Sequence, residues 1–155
     1  MLILINITIT VATFLSMEFI AWFTHKYVMH GWLWFLHKDH HKPHNESFFE
    51  KNDYFFLIFA VPGITSIYFG WHNNFSSIFY VGLGITLYGF AYFLIHDLFI
   101  HQRIRVIRNT NNAYLKAIRR AHKVHHKHLG KEDGESFGML WVSYKYFKEA
   151  KRNTA

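Results

Sequence analysis

The sequence predicts an all-α integral membrane protein with three to four transmembrane helices and a histidine-rich helical cap on the cytoplasmic side. Three observations predict it. Long apolar runs cover residues 2–23, 54–70 and 75–95, and about 20 apolar residues at 1.5 Å each cross a hydrocarbon layer of about 30 Å. Ten of the 13 histidines stand in a register that occurs twice, H-x4-H followed by H-x2-H-H. Lysine and arginine collect after the first and third runs and are missing between the second and third, which places both basic ends on the cytoplasmic side. At 155 residues the chain is read as one membrane-embedded domain, 1–155.

Composition narrows the class. The chain is 51% hydrophobic and 20% aromatic, yet carries a formal charge of +7 and no cysteine. An apolar body with basic flanks suits a lipid membrane as partner. Without cysteine there is no disulfide and no thiolate metal site, so imidazole alone must supply any borderline ligand. The cations flank apolar runs and no nucleic-acid motif is present, so no nucleic acid is expected as partner.

The run 2–23 lacks a charged leader and a small-residue cleavage site, and reads as a retained span. Its one charge is Glu18. A carboxylate at membrane depth is a functional candidate, and seven residues put it on the helical side of His25. Pairing with Lys26 at headgroup depth is the alternative. The first metal-site segment, 25–44, follows. His30, His37 and His41 are spaced by seven and four and share a face. His25 and His30, five apart, point about 140° away from each other on an ideal α-helix. That suits two different metals, or ligands on either side of a bend near Gly31. Pro43 disfavours helix in the residue before it and leaves His44 beyond the break as an extra candidate.

In the second run, Pro62-Gly63 predicts a kink. The turn Trp71-His72-Asn73-Asn74 holds no cation, which puts His72 on the opposite side and outside the site. In the third run, Gly82, Gly84 and Gly89 either let helices pack closely or leave room for a flat apolar ligand. The second metal-site segment, 96–128, contains His96, His101, His122, His125 and His126, with His128 as a counterpart of His44. Ile104, Ile107, Leu115 and Ile118 share one face if a helix runs through 109–112, but the asparagines there favour a break. The surrounding cations suit the cytoplasmic membrane surface. The stretch 130–134 reads as a charged loop. An aromatic segment, 136–147, lies against the membrane or the site and is too interrupted for a clear fourth span.

All four histidine motifs thus fall on one membrane face. Neutral imidazole binds iron, zinc, copper or nickel, so the pattern points to a polynuclear metal site held by His25, His30, His37, His40, His41, His96, His101, His122, His125 and His126. Asp39 and Asp97, each beside a ligand, can accept the other ring N–H of a histidine; solvated surface carboxylates are the alternative. Trp22, Phe23, Trp32, Trp34, Phe90 and Phe93 either line a substrate route or serve as packing and interfacial anchors.

The order His25-x4-His30, His37-x2-His40-His41, His96-x4-His101 and His122-x2-His125-His126, with Ser136-Phe137-Gly138-Met139-Leu140 after it, resembles the bacterial β-carotene hydroxylases. These belong to the fatty-acid hydroxylase and sterol desaturase group of membrane non-haem di-iron enzymes, and the resemblance runs from His25 to Leu140. It implies hydroxylation of the β-ionone ring at C3, turning β-carotene through β-cryptoxanthin into zeaxanthin. It also implies two iron ions (Fe2+/Fe3+), O2 as co-substrate, a reduced ferredoxin-type electron donor, and an apolar substrate taken from the bacterial inner membrane. Zinc is expected to substitute in purified protein. The group is usually drawn with four spans where three are clear here. On this reading the histidines are ligands, and no other catalytic side chain is expected, because oxidising an unactivated C–H bond lies beyond any side chain. A related fatty-acid or sterol hydroxylase or desaturase would keep the metal site and change the substrate. A metal transporter or haem protein would place its ligands at mid-membrane depth.

Overall fold

The computed structural model describes residues 1–42, 49–104 and 109–152. Every regular element among them is a helix. Helix α1 (Leu2–Phe23) is apolar all round, with Leu4, Ile7, Val11, Leu15 and Phe19 exposed, as expected of a helix whose solvent is lipid. It runs on without a break into wider turns, Thr24–Trp32, closed by i→i+5 bonds such as Leu33 N–H to the Val28 carbonyl at 3.0 Å. Non-helical Gly31 (φ −103°, ψ −119°) kinks them just before their end, the bend expected at that residue. One turn, α2 (Trp34–His37), and a 3-10 turn (Lys51–Asp53) lead to α3 (Tyr54–His72). Helix α4 (Ser77–Tyr92) likewise passes into wide turns, Phe93–Ile100.

Three helices are therefore long and apolar enough to cross a membrane: Leu2–Trp32, Lys51–His72 and Ser77–Ile100. The third starts two residues later than expected. Asn74 and Phe75 take left-handed backbone (φ 51° and 55°), and the Ser76 N–H bonds the Gly70 carbonyl to close the turn. Helix α3 passes through Pro62 as one element.

Two of the three glycines in α4 are packing residues. A Cβ at Gly82 would lie 2.6 Å from the Ile67 nitrogen and 2.7 Å from the Gly63 carbonyl of α3. At Gly84 it would lie 2.7 Å from the Thr10 carbonyl of α1. Backbones this close admit no side chain. Gly89 differs, since a Cβ there meets nothing within 4 Å.

The asparagine cluster does break the chain. Helix α5 (Ala113–His125) starts at Asn112, whose side chain accepts from the N–H groups of Tyr114 (2.9 Å) and Leu115 (3.1 Å). The expected apolar stripe is therefore interrupted: Leu115 and Ile118 pack with Phe99 and Ile100, while Ile104 is half exposed. Ile107 lies outside the described residues, as does His44. Helix α6 (Tyr144–Arg152) pairs with α5 through Ala117, Ala121, Tyr146 and Ala150. At nine residues it is too short for a span. The stretch before it folds back onto α1 and α4, burying Met139 against Met17 and Tyr88.

Candidate metal centre

The wide turns decide the site. The α-helical expectation separated His25 from His30, but an i→i+5 turn brings residues five apart over one another. Their rings lie 5.2 Å apart. In the second copy, the His101 N–H bonds the His96 carbonyl at 2.9 Å, and the rings stand 4.5 Å apart. Each wide pair therefore faces one place, and neither needs two metals or a bend.

Among the described residues, two groups of side chains could hold a metal ion: His25, His30, His37, His41 and His125; and His40, His101, His122 and His126. Within each group the donor atoms lie within 4.8 Å of one another. Each H-x2-H-H box is split between the groups. His37 and His41 are one helical turn apart and enter the first group, while His40 between them enters the second. His122 and His126 enter the second while His125 enters the first. The groups abut, with the His41 and His126 rings stacked at 4.6 Å. His96 stands against the second, 5.0 Å from the His40 ring and 4.9 Å from that of His122.

Hydrogen bonds at Nδ1 settle what Nε2 offers. In the first group all five Nδ1 atoms donate to oxygen: His25 to the Phe137 carbonyl (2.9 Å), His30 to Lys131 (3.1 Å), His41 to His128 (2.9 Å), His125 to Glu135 (2.8 Å), and His37 to Asn52 Oδ1 (2.7 Å). Each Nε2 of a neutral ring then carries a bare lone pair. Yet these atoms face one another: His37 Nε2 is 3.1 Å from that of His25 and 3.2 Å from that of His41, and His30 Nε2 is 3.2 Å from that of His125. Lone pairs so arranged repel unless a cation lies among them. In the second group, His122 Nε2 is 2.9 Å from that of His101 and 2.8 Å from that of His126. His40 donates from Nδ1 to Glu50 at 2.7 Å, leaving its buried Nε2 with no hydrogen-bond partner. The donor set fits first-row divalent metals.

Burial keeps the rings neutral. It pushes His37 down to about 2, helped by His41 and His30 and opposed by Asn52; His125 falls to about 3, and His41 and His101 to about 4. Metal-binding lone pairs are therefore present at neutral pH.

The expected supporting carboxylates part ways. Asp97 accepts from His96 Nδ1 at 3.1 Å. Asp39 instead accepts from the Lys51 N–H at 2.8 Å and serves the chain's return to α3. Glu18 is engaged by backbone N–H groups of 139–141 and by the Tyr88 hydroxyl. Lys26 lies over the Trp22 and Tyr27 rings rather than against Glu18. His128 contributes its carbonyl, and His72 packs on Tyr68 at the far end of the bundle. Sequence reasoning missed Glu50, Asn52 and Arg103. The Arg103 guanidinium lies 2.8 Å from Asp53, 3.1 Å from Glu50 and 3.6 Å from Asp97, so one cation ties together the carboxylates behind His40 and His96. Acidic and amide residues clustered at the start of the second span were the available signal; the four backbone carbonyls gave none.

An apolar cavity of about 500 Å³ reaches from between α3 and α4 to His96 and His122. Phe59, Ile85, Phe93 and Met139 wall it, and Gly89 faces it. Of the aromatics singled out above, Phe90 and Phe93 line this cavity. Trp34 packs on the His30 and His41 rings (5.1 and 5.2 Å), and Trp32 is exposed.

A family model described as fatty acid hydroxylase matches residues 10–145. The chain is similar to a protein of Pantoea ananas named beta-carotene hydroxylase, 40% identical over 137 residues, covering 88% of this chain and 77% of that one. It is similar to a beta-carotene hydroxylase of Pseudescherichia vulneris, 40% identical over 139 residues, covering 90% and 78%. A chloroplastic beta-carotene 3-hydroxylase 2 of Arabidopsis thaliana is 40% identical over 135 residues, covering 85% of this chain and 44% of that one. No solved structure matches.

Proposed function

Since this chain belongs to the fatty acid hydroxylase family, we propose that it is a carotenoid β-ring 3-hydroxylase, converting β-carotene through β-cryptoxanthin to zeaxanthin. Relatives named beta-carotene hydroxylase support the substrate. The observation that carries the reading is the apolar cavity that lies between helices long and apolar enough to cross a membrane and ends at His25 of the first segment and at His96 and His122 of the second. A substrate insoluble in water needs such a route from the bilayer.

The ten histidines named above are the proposed ligands. His25, His30, His37, His41 and His125 would hold one iron; His40, His101, His122 and His126, with His96 beside them, would hold the other. A bound iron pair would supply the oxidant for the ring C–H bond from O2 and two external electrons. The protein's part is to orient, bind and exclude water. Asn52, Glu50, Asp97 and the loop carbonyls fix the ring tautomers. The cavity walls bind the ring by apolar contact and keep water from it. No other side chain is proposed to act as acid or base.

The chain would work as one domain in the bacterial inner membrane with its site on the cytoplasmic face. Lys26, Lys38, Lys51 and Arg103 lie at the histidine end, and no cation lies at the His72 turn. A reduced ferredoxin-type protein would deliver the electrons. The family description itself supports one second reading, hydroxylation of an acyl lipid or sterol at the same site. Incubation of purified, iron-loaded chain with β-carotene, an electron donor and isotope-labelled O2 tests the proposal. Label in a ring hydroxyl supports it; label in an added acyl lipid or sterol and none in the carotenoid rejects it for the second reading.

A further inference from the structure

Glu18 is the one charge in α1, and its carboxylate gathers four donors. Oε1 accepts from the backbone N–H groups of Met139 (3.0 Å), Leu140 (2.9 Å) and Trp141 (2.8 Å). Oε2 accepts from the Tyr88 hydroxyl at 2.7 Å. One side chain thus joins α1, α4 and the chain after the second histidine segment. Approach is close enough that a Cβ at Gly138 would stand 2.9 Å from Oε1.

The stretch so held has no helix or strand ladder to place it; beside Glu18, it is held by Met139 packed against Met17 and Tyr88 and by the Tyr114 hydroxyl, which donates to the Leu140 carbonyl at 2.5 Å. It also carries acceptors for the five-histidine group. Phe137, two residues before Met139, presents its carbonyl to His25 Nδ1 at 2.9 Å. Its ring stacks edge-on against those of His25, His30 and His125 at 5.4, 5.0 and 5.2 Å. Just before it, Ser136 is left-handed (φ 61°), and the Glu135 carbonyl accepts from His125 Nδ1 at 2.8 Å. The four-histidine group is oriented from elsewhere, by Glu50 behind His40.

We propose that Glu18 is a positioning residue for the five-histidine group alone: it fixes the 139–141 loop so that the Phe137 carbonyl holds His25 in its metal-facing orientation. The inference rests on the two-metal reading above. Losing the partner that orients a ligand histidine costs about 10–100-fold in metal affinity. Glu18→Ala should therefore weaken one of two metals and spare the other.

The test is titration of the purified full chain in lipid nanodiscs with Co2+ at buffered free concentrations, without turnover. The parent is expected to bind two Co2+ per chain. Glu18→Ala is expected to bind one as tightly as the parent and the other about 10–100-fold more weakly. Glu18→Gln keeps an acceptor oxygen for the loop amides and is expected to lose part of that affinity at the same site. It also serves as the readout if Glu18→Ala fails to accumulate. Tyr88→Phe leaves the three amide bonds in place and should bind both ions as the parent does. Unchanged binding of both ions in the Glu18 variants overturns the proposal, and so does equal weakening of both, which would mark a general folding role. A parent that binds no Co2+ would overturn the two-metal reading and this inference with it.

Discussion

Glu50 Oε2 stands 2.7 Å from His40 Nδ1, so a carboxylate outside the histidine pattern sets the tautomer of a histidine inside it. The same oxygen lies 3.1 Å from Arg103. Burial draws the guanidinium pKa down, but the bond to Asp53 and the charges of Asp97 and Glu50 outweigh it and hold Arg103 above its ordinary value.

Glu50→Ala should lower the affinity of the four-histidine group by about 10–100-fold, and Glu50→Gln, which still accepts, by less. Metal titration of the two variants checks the order. Equal affinities in both variants and the parent would show that His40 needs no partner at Nδ1.

Gly89 faces the cavity with open space where a Cβ would be. Gly89→Leu should abolish hydroxylation of a full-length carotenoid while metal content stays at the parent's level. Product chromatography and metal analysis together check it. A variant with full activity would mean that the substrate does not pass position 89.

Gly82 makes the opposite case. The Ile67 nitrogen and the Gly63 carbonyl are backbone atoms and cannot rotate away, so Gly82→Ala should cost at least the 1–3 kcal/mol of an overpacked core. Gly89→Ala should be near neutral. Thermal unfolding in detergent separates the two; similar melting temperatures would contradict the close α3–α4 contact.

Acid should destabilise the metal-free protein. His37, His125, His41 and His101 are held at about 2, 3, 4 and 4 in the fold, below the ordinary 6.5. Below 6.5 the unfolded chain binds protons that the fold refuses, so stability is full above that pH and is lost as pH falls from 6.5 toward about 4 and below. Bound metal should leave over the same descent, because protons compete for the same nitrogens. Melting temperatures of the metal-free chain at pH 7.5 and 5 check the sign; a flat profile would contradict neutral burial.

Much of this was legible in the residues. Apolar length gave the three spans, and charge asymmetry placed all four histidine motifs at one end, as found. The partition between groups was not legible. A spacing of five reads as divergent on an α-helix, and nothing in the composition of Thr24–Trp32 announces that its turns widen. Asp39 and Asp97 look alike in sequence, each beside a histidine, yet one faces the Lys51 amide and the other His96. The carbonyls that orient His25, His30, His41 and His125 belong to any residue, so only the path of the chain could reveal them. Glu18 was legible as an unusual charge, but its partners lie 70 residues away at Tyr88 and 121 to 123 residues away in the loop.

The most direct test of the central claim is pigment chromatography of cells that accumulate β-carotene, expressing either this chain or its His40→Ala, His125→Ala double variant. That variant removes one nitrogen from each group. The account predicts zeaxanthin with the parent and unchanged β-carotene with the double variant at equal protein level. Zeaxanthin from both would contradict a histidine-held metal pair, and none from a well-expressed, iron-loaded parent with a competent electron donor would contradict the carotenoid assignment.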